Sequence, residues 1–223
     1  MKHIAIFASG NGSNAQYLIE YFNMGKTCNF QHVQSLGAIQ ESESTSELQQ
    51  EKSSRASLAD IAVIICNKPD AYVLTRAKEL GVPSVVLQKE ELTTSPQTLL
   101  QTLKEYNIDY IVLAGYLLKI PTELIHEYPN KIINIHPALL PAYGGKGMYG
   151  RRVHEAVVAA GEKESGITIH LVDEQYDSGK ILFQAKCQIA PTDTAEDLER
   201  KIHHLEQENF SKVVDKYINS SID

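Results

Sequence analysis

A polar pair interrupts an otherwise aliphatic run where Ile132-Ile133 leads into Asn134-Ile135-His136-Pro137. If that run is a strand, period two puts Asn134 and His136 on one face and turns Ile135 into the opposite layer. An amide N–H and an imidazolium aimed at one point form a site for a developing oxyanion, each donor worth about 2.7–4 kcal/mol when removed. That is the chemistry of acyl transfer. Spacing alone equally allows Asn134 to satisfy loose backbone groups and His136 to be a hydrogen-bonded core histidine. A histidine kept charged near neutrality needs a carboxylate beside it, which favours the charged form by about 1–3 pKa units. The candidates are Asp173 and Asp177 in Asp173-Glu174-Gln175-Tyr176-Asp177-Ser178-Gly179. Asp173 and Glu174 read as solvated loop, whereas Asp177 fits a turn and a catalytic partner equally well.

A second constellation opens the chain. Gly10-Asn11-Gly12-Ser13-Asn14-Ala15 follows the strand-like Ile4–Ala8 and precedes a helical pattern carrying Leu18, Ile19 and Phe22. Its placement and small polar residues favour a backbone cradle for phosphate at a helix N-terminus over a plain tight turn. A dinucleotide would also need an acidic residue about 20 positions on. Phe30-Gln31-His32-Val33-Gln34-Ser35 offers none, which weakens a nicotinamide reading. His203 and Glu206 share one face of a terminal helical pattern and read from spacing as a helix-surface pair. His154, after a glycine-rich loop, could approach the site, while His3, His32, His126 and His170 suggest no function. Lys146, Arg151 and Arg152 fit an anion-facing edge and solvated charge equally.

The elements that must position these residues alternate. Strands are expected at Ile4–Ala8, Ile61–Cys66, Ser84–Leu87, Tyr110–Leu113 and Ile132–Ile135, as Ile/Val runs of the kind buried on both faces of a parallel sheet. Helices are expected between them at Ala71–Leu80, Ser95–Tyr106 and Pro121–Tyr128, with Pro121 in a first turn where it is tolerated. Beyond Pro137 come a helix around Val153–Ala160, an antiparallel strand pair at Gly166–Val172 and Ile181–Ile189, and a terminal helix from Ala195 to Tyr217. The Ser-, Glu- and Gln-rich stretch of residues 31–60 reads as a polar surface insertion, with one short strand possible at Leu36–Ile39. The fold expected is α/β: one Rossmann-like domain over residues 1–223, with a mostly parallel sheet, helices on both faces and a C-terminal antiparallel pair.

The whole chain has 223 residues and a net charge of −7, so a nucleic-acid partner is disfavoured and any anionic ligand must meet a local cradle. No apolar run approaches the ~18 residues of a membrane helix, and the opening breaks too early for a signal peptide, so a cytoplasmic location is expected. Cys28, Cys66 and Cys187 are far apart and lack a CxxC, reading as ordinary thiols rather than as a disulfide or zinc site.

Taken in order, Ser9 to Asn14, Leu113-Ala114-Gly115-Tyr116-Leu117, Asn134-Ile135-His136-Pro137-Ala138-Leu139-Leu140-Pro141 and Asp173 to Gly179 resemble the folate-dependent phosphoribosylglycinamide formyltransferase family. The resemblance implies formyl transfer from 10-formyltetrahydrofolate, as co-substrate, to the amino group of glycinamide ribonucleotide in purine biosynthesis, without metal or nicotinamide. It implies Asn134, His136 and Asp177 as the catalytic trio. Gly12, Ser13, Asn14, Ala15 and Gln16, with His203, His204, Leu205 and Glu206, would hold the ribonucleotide. Leu117, Leu118, Lys119 and Ile120, with Asn134 and Asp173, Glu174, Gln175, Tyr176 and Asp177, would hold the folate. Glu206 thereby moves from helix surface to amine ligand. The partners implied are small molecules, with no nucleic acid or membrane, on a monomer or homodimer. No arginine lies between Lys89 and Lys119, where some members carry one that contacts folate.

Overall fold

A computed structural model describes residues 1–23 and 58–220. Strand β1 (Lys2–Ala8) runs into helix α1 (Ser13–Asn23); β2 (Ala59–Cys66), α2 (Tyr72–Glu79), β3 (Ser84–Val86), α3 (Lys89–Thr93), α4 (Gln97–Glu105), β4 (Tyr110–Leu113) and α5 (Thr122–Glu127) follow. The second half contains β5 (Ile132–His136), α6 (Arg151–Ala159), β6 (Glu164–Leu171), β7 (Ile181–Gln188) and α7 (Ala195–Ser220). They build one seven-stranded sheet in the order β3-β2-β1-β4-β5-β6-β7. β3 through β5 pair in parallel, and β6 turns antiparallel to β5 and to β7. The expected mostly parallel sheet with an antiparallel pair is the one observed.

The parallel strands are continuously aliphatic because both faces are covered. On one face Ile4, Ile6, Ile64, Val112, Ile133 and Ile135 meet Leu18 of α1, Val73 of α2, Val153 of α6 and Phe210 of α7. On the other, Ala5, Phe7, Ile65 and Ile111 meet Leu92 of α3, Leu99 and Leu103 of α4 and Leu124 of α5. Each fully buried Leu, Ile or Phe contributes about 1.5–3 kcal/mol relative to exposure, so the two layers fix where the strand ends lie.

Several boundaries differ from the expectation. β2 begins at Ala59, two residues inside the stretch read as insertion, because Lys2 and His3 of β1 pair with Ala59 and Asp60. Asp60 is polar within a strand because its carboxylate lies 2.7 Å from the His3 Nδ1, which obscures the pattern. Residues 31–57 of the insertion, with the possible strand at Leu36–Ile39, and Cys28 lie outside the described residues. α3 was not expected; a reciprocal cap between Gln88 and Glu91 nucleates it, a Gln variant of the usual Ser/Thr signal. Pro121 precedes the first turn of α5 as its N-cap, in extended conformation, rather than lying within it.

Candidate active site

The connection leaving β1 runs toward β2 and the one leaving β4 runs the other way toward β5, so a crevice opens between the C-terminal ends of β1 and β4. Ser9 ties the two lips together: its N–H donates to Gly115 O at 3.1 Å, and Leu117 N–H donates to its Oγ at 3.2 Å. A cavity of about 490 Å³ occupies the crevice, lined by the loops after β1, β4 and β5, by the 145–150 loop, by the loop after β6 and by α7.

Asn134 and His136 point to the same side of β5 at the cavity wall, while Ile133 and Ile135 enter the opposite core layer. His136 is only 4% exposed. Its Nε2 lies 2.8 Å from the Tyr143 carbonyl, to which it donates, and its Nδ1 lies 3.7 Å from Asp177 Oδ2. The same Oδ2 accepts from Gly145 N–H at 2.8 Å. Gly144 permits this approach, since a Cβ there would fall 2.6 Å from Leu140 Cδ2 and 3.2 Å from the Asp177 Cβ. Burial raises the Asp177 pKa, but His170, the Gly145 N–H and the charge of His136 outweigh it and hold the carboxyl below its usual range. Burial likewise dominates at His136, lowering its pKa despite Asp177 and Tyr143. The expectation that Asp177 keeps His136 charged is therefore corrected: one carboxylate at 3.7 Å does not offset the desolvation of a ring this deeply buried.

Sequence reasoning passed over His170. Antiparallel pairing places it opposite Asn134, where its Nδ1 donates to Leu171 O at 2.8 Å and its Nε2 lies 3.0 Å from Asn134 Nδ2. In the neutral ring the first bond leaves Nε2 as acceptor for one Asn134 N–H, with the other available to the cavity, and only the doubly protonated ring donates from Nε2 toward Asp177. Asp177 Oδ1 lies 3.7 Å from the same Nε2. The polar alternation Thr168-Ile169-His170 was the readable signal; the register that gives it meaning was not.

Ribonucleotide-side candidates separate by their place on the helices. Gly12, Ser13 and Asn14 line the cavity, and Asn14 donates to Glu206 Oε2 at 2.9 Å from across the crevice. Glu206 is 7% exposed, and burial raises its pKa against the pull of Asn14 and His203. His203 also lines the cavity. His204 and Leu205 do not, because the helical period turns them away: His204 pairs with Glu208 at 3.2 Å and Leu205 packs on the core. Ala15 is fully buried on the inner face of α1, and Gln16 turns its side chain to Glu20 and Arg76 rather than to the cavity. The helix-surface reading of His203 and Glu206 is thus replaced by a cavity-facing pair.

On the opposite wall Leu117, Leu118, Lys119 and Ile120 are brought together with Asp173, Gln175, Tyr176 and Asp177. Lys119 Nζ sits 5.7 Å above the Tyr176 ring. Glu174 instead points away and pairs with His126 at 3.0 Å. Of the three basic residues in and just after the glycine-rich loop, Lys146 reaches the cavity, whereas Arg151 pairs with Glu155 and Arg152 stacks on Tyr149. His154, 2% exposed, does approach the site, with its Nδ1 unpartnered.

Comparison with known proteins agrees with this geometry. Residues 35–214 match the family model described as formyl transferase. A chloroplastic phosphoribosylglycinamide formyltransferase of Arabidopsis thaliana is 36% identical over 96% of this chain, which covers 64% of that protein. The chloroplastic enzyme of Vigna unguiculata is 37% identical over 96% of the chain, which covers 60% of it, so the chain spans less than two thirds of the length of these plant relatives. The phosphoribosylglycinamide formyltransferase of Bacillus subtilis is 33% identical over 96% of the chain and 93% of its own length. The crystal structure of that enzyme from Bacillus halodurans matches with a TM-score of 0.77 and 30% identity, covering 99% of this chain and 97% of that one. With a crevice at the end of β1, an Asn-x-His pair on β5 and matches that run nearly end to end, this chain belongs to the formyl transferase family.

Proposed function

We propose that the protein transfers the formyl group of 10-formyltetrahydrofolate to the amino group of N1-(5-phosphoribosyl)glycinamide, giving formylglycinamide ribonucleotide and tetrahydrofolate in purine biosynthesis. The observation that carries this reading is that one cavity joins three unlike surfaces: a glycine loop at a helix N-terminus, an amide–imidazole pair beside a carboxylate, and an apolar wall of Leu113, Ile120 and Val172. A phosphorylated amine fits the first, a flat heterocycle fits the last, and the acyl carbon between them meets the pair.

Gly12, Ser13 and Asn14 offer the start of α1 to the phosphate, where free N–H groups and the helix dipole favour an anion. Glu206, with Asn14 as partner, receives the amine side. The apolar wall accepts the folate ring, and Asp173, Gln175 and Tyr176 close over it. When the amine adds to the formyl carbon, Asn134 N–H meets the oxygen that becomes negative, and the positive charge of a protonated His136, whose own N–H groups face the Tyr143 carbonyl and Asp177, stabilises it from alongside. The amine sheds one proton and the departing folate nitrogen gains one, and Asp177 lies within reach of His136 to stabilise its charge during that exchange. Much of the remaining acceleration comes from holding both substrates in register. The reading calls for neither metal nor nicotinamide, and takes the enzyme to be cytoplasmic, acting on small molecules as a monomer or homodimer. Among the described residues no helix is long and apolar enough to cross a membrane.

Tetrahydrofolate release from 10-formyltetrahydrofolate, followed with and without the ribonucleotide, tests the proposal. Release should require the ribonucleotide and collapse in His136→Ala. Release that ignores the ribonucleotide would make the protein a hydrolase of the formyl donor instead.

A further inference from the structure

α2 lies against the glycine loop more intimately than packing alone requires. Val73 N–H donates to Gly10 O at 3.2 Å, and a Cβ at Gly12, whose φ is +78°, would fall 2.5 Å from Val73 Cγ2. One turn further along the helix, Arg76 spreads its guanidinium over the loop. Its Nε donates to Asn11 O at 2.9 Å, one Nη donates to Asn11 Oδ1 at 3.2 Å, and the other donates to Gln16 Oε1. The guanidinium also sits 4.9 Å above the Tyr72 ring, which limits its own freedom. Gln16 is anchored in turn, its N–H donating to Gly12 O at 2.9 Å. Asn11 through Asn14 line the cavity and Arg76 does not.

We propose that Arg76 is a positioning residue for the phosphate-bearing substrate: it clamps Asn11 and the first turn of α1 so that the N–H groups of the glycine loop stay aimed at the phosphate. This deepens the function proposed above and rests on it. Three acceptors on two residues, from main chain and side chains, match the planar fork of an arginine and not the single point of an ammonium. The clamp stiffens the anion cradle before the ligand arrives, so binding loses less conformational freedom.

Arg76→Ala and Arg76→Lys are compared with wild type in steady-state kinetics, using the ribonucleotide and the ribonucleoside that lacks phosphate. Direct titration with inorganic phosphate and a thermal melt accompany them. In Arg76→Ala the KM for the ribonucleotide should rise about tenfold, the loss of hydrogen bonds to a charged group. The kcat, the KM for 10-formyltetrahydrofolate and the kcat/KM for the ribonucleoside should stay within about twofold, the inorganic phosphate affinity should fall and the fold should be retained. Arg76→Lys should recover less than half of the loss. An unchanged ribonucleotide KM would overturn the proposal, as would an equal loss on the ribonucleoside, which marks a general folding role. Full recovery by lysine would also overturn it, in favour of charge acting at a distance. If wild type turns over no ribonucleotide, the function reading fails by itself. The phosphate titration then still decides the clamp, weaker binding in Arg76→Ala supporting it and unchanged binding refuting it.

Discussion

In its proposed catalytic role His136 works under two opposing demands. It must be buried, so that its interaction with a developing negative charge is not diluted by water, and burial lowers its pKa. Asp177 at 3.7 Å pulls the other way, and the approach of negative charge in the reaction would strengthen that pull. In that role the ring would gain its proton most readily as negative charge develops beside it. Asn134 has no such titration and relies on orientation, which His170 supplies at 3.0 Å. Replacing Asn134 by Ala should reduce kcat about 10²–10³-fold, the cost of one oxyanion donor, with little change in the ribonucleotide KM. His170→Phe should cost about tenfold in kcat through loss of that orientation, and a thermal melt distinguishes it from unfolding. Loss of ribonucleotide binding instead of kcat in Asn134→Ala would sink the oxyanion role. The pair on β5 could be read from period two alone, whereas His170 could not, since its partner lies 36 positions away and is set by the β5–β6 register.

The strands and helices around the site were readable where one physical signal dominates. Continuous Ile and Val runs mark β1, β4 and β5 because both faces are buried, and the apolar stripe of α7 marks its face even though it carries His203 and Glu206 inward. The signal failed where polar residues serve local partners. Asp60 answers His3 inside β2, and Gln88 caps α3 in the place of a Ser or Thr. His204 and Leu205 were drawn into the site by adjacency in sequence, which a helix converts into opposite faces. The glycine loop shows how tightly an element can constrain a site. Gly12 combines a φ of +78° with contact to Val73 of α2, so Gly12→Ala faces both backbone strain and a clash. It should lose about 1–3 kcal/mol in urea denaturation and weaken ribonucleotide binding at the same time. A variant with wild-type stability and KM would show that α2 yields, and that the loop conformation is not enforced by it.

Because the cavity is assembled from segments spread between Gly10 and Glu206, burial of its ionisable groups is a property of the folded molecule, and folding must couple to pH. His136 and His154 both have pKa values lowered from 6.5, in each case chiefly by burial. Below pH 6.5 the unfolded chain takes up protons at these rings that the folded protein refuses, so stability falls as pH drops from 6.5 toward the folded values. Around His154 the field comes from Glu199 and His203 of α7 and from His136 of β5, with the carboxylate opposing the two rings. Asp177 adds stability above its unfolded value of 3.8 and loses it as pH falls through the lower folded value, well below the histidine window. Glu206 acts in reverse: its raised pKa makes the buried carboxylate a cost above that pKa, relieved as pH falls toward 4.5. The histidine and Glu206 effects therefore oppose one another on the acid side of neutrality, and single variants separate them. Measured as the change in thermal midpoint between pH 7.5 and 5.5 (about one unit either side of an ordinary histidine), the acid-side loss should shrink in His154→Gln. In Glu206→Gln, with the titration carried on to pH 4.5, the relief that wild type gains as the buried carboxylate takes up its proton should be absent. An unchanged pH profile in His154→Gln would mean that this ring takes up its proton as readily folded as unfolded, and that burial beside the cavity does not control it.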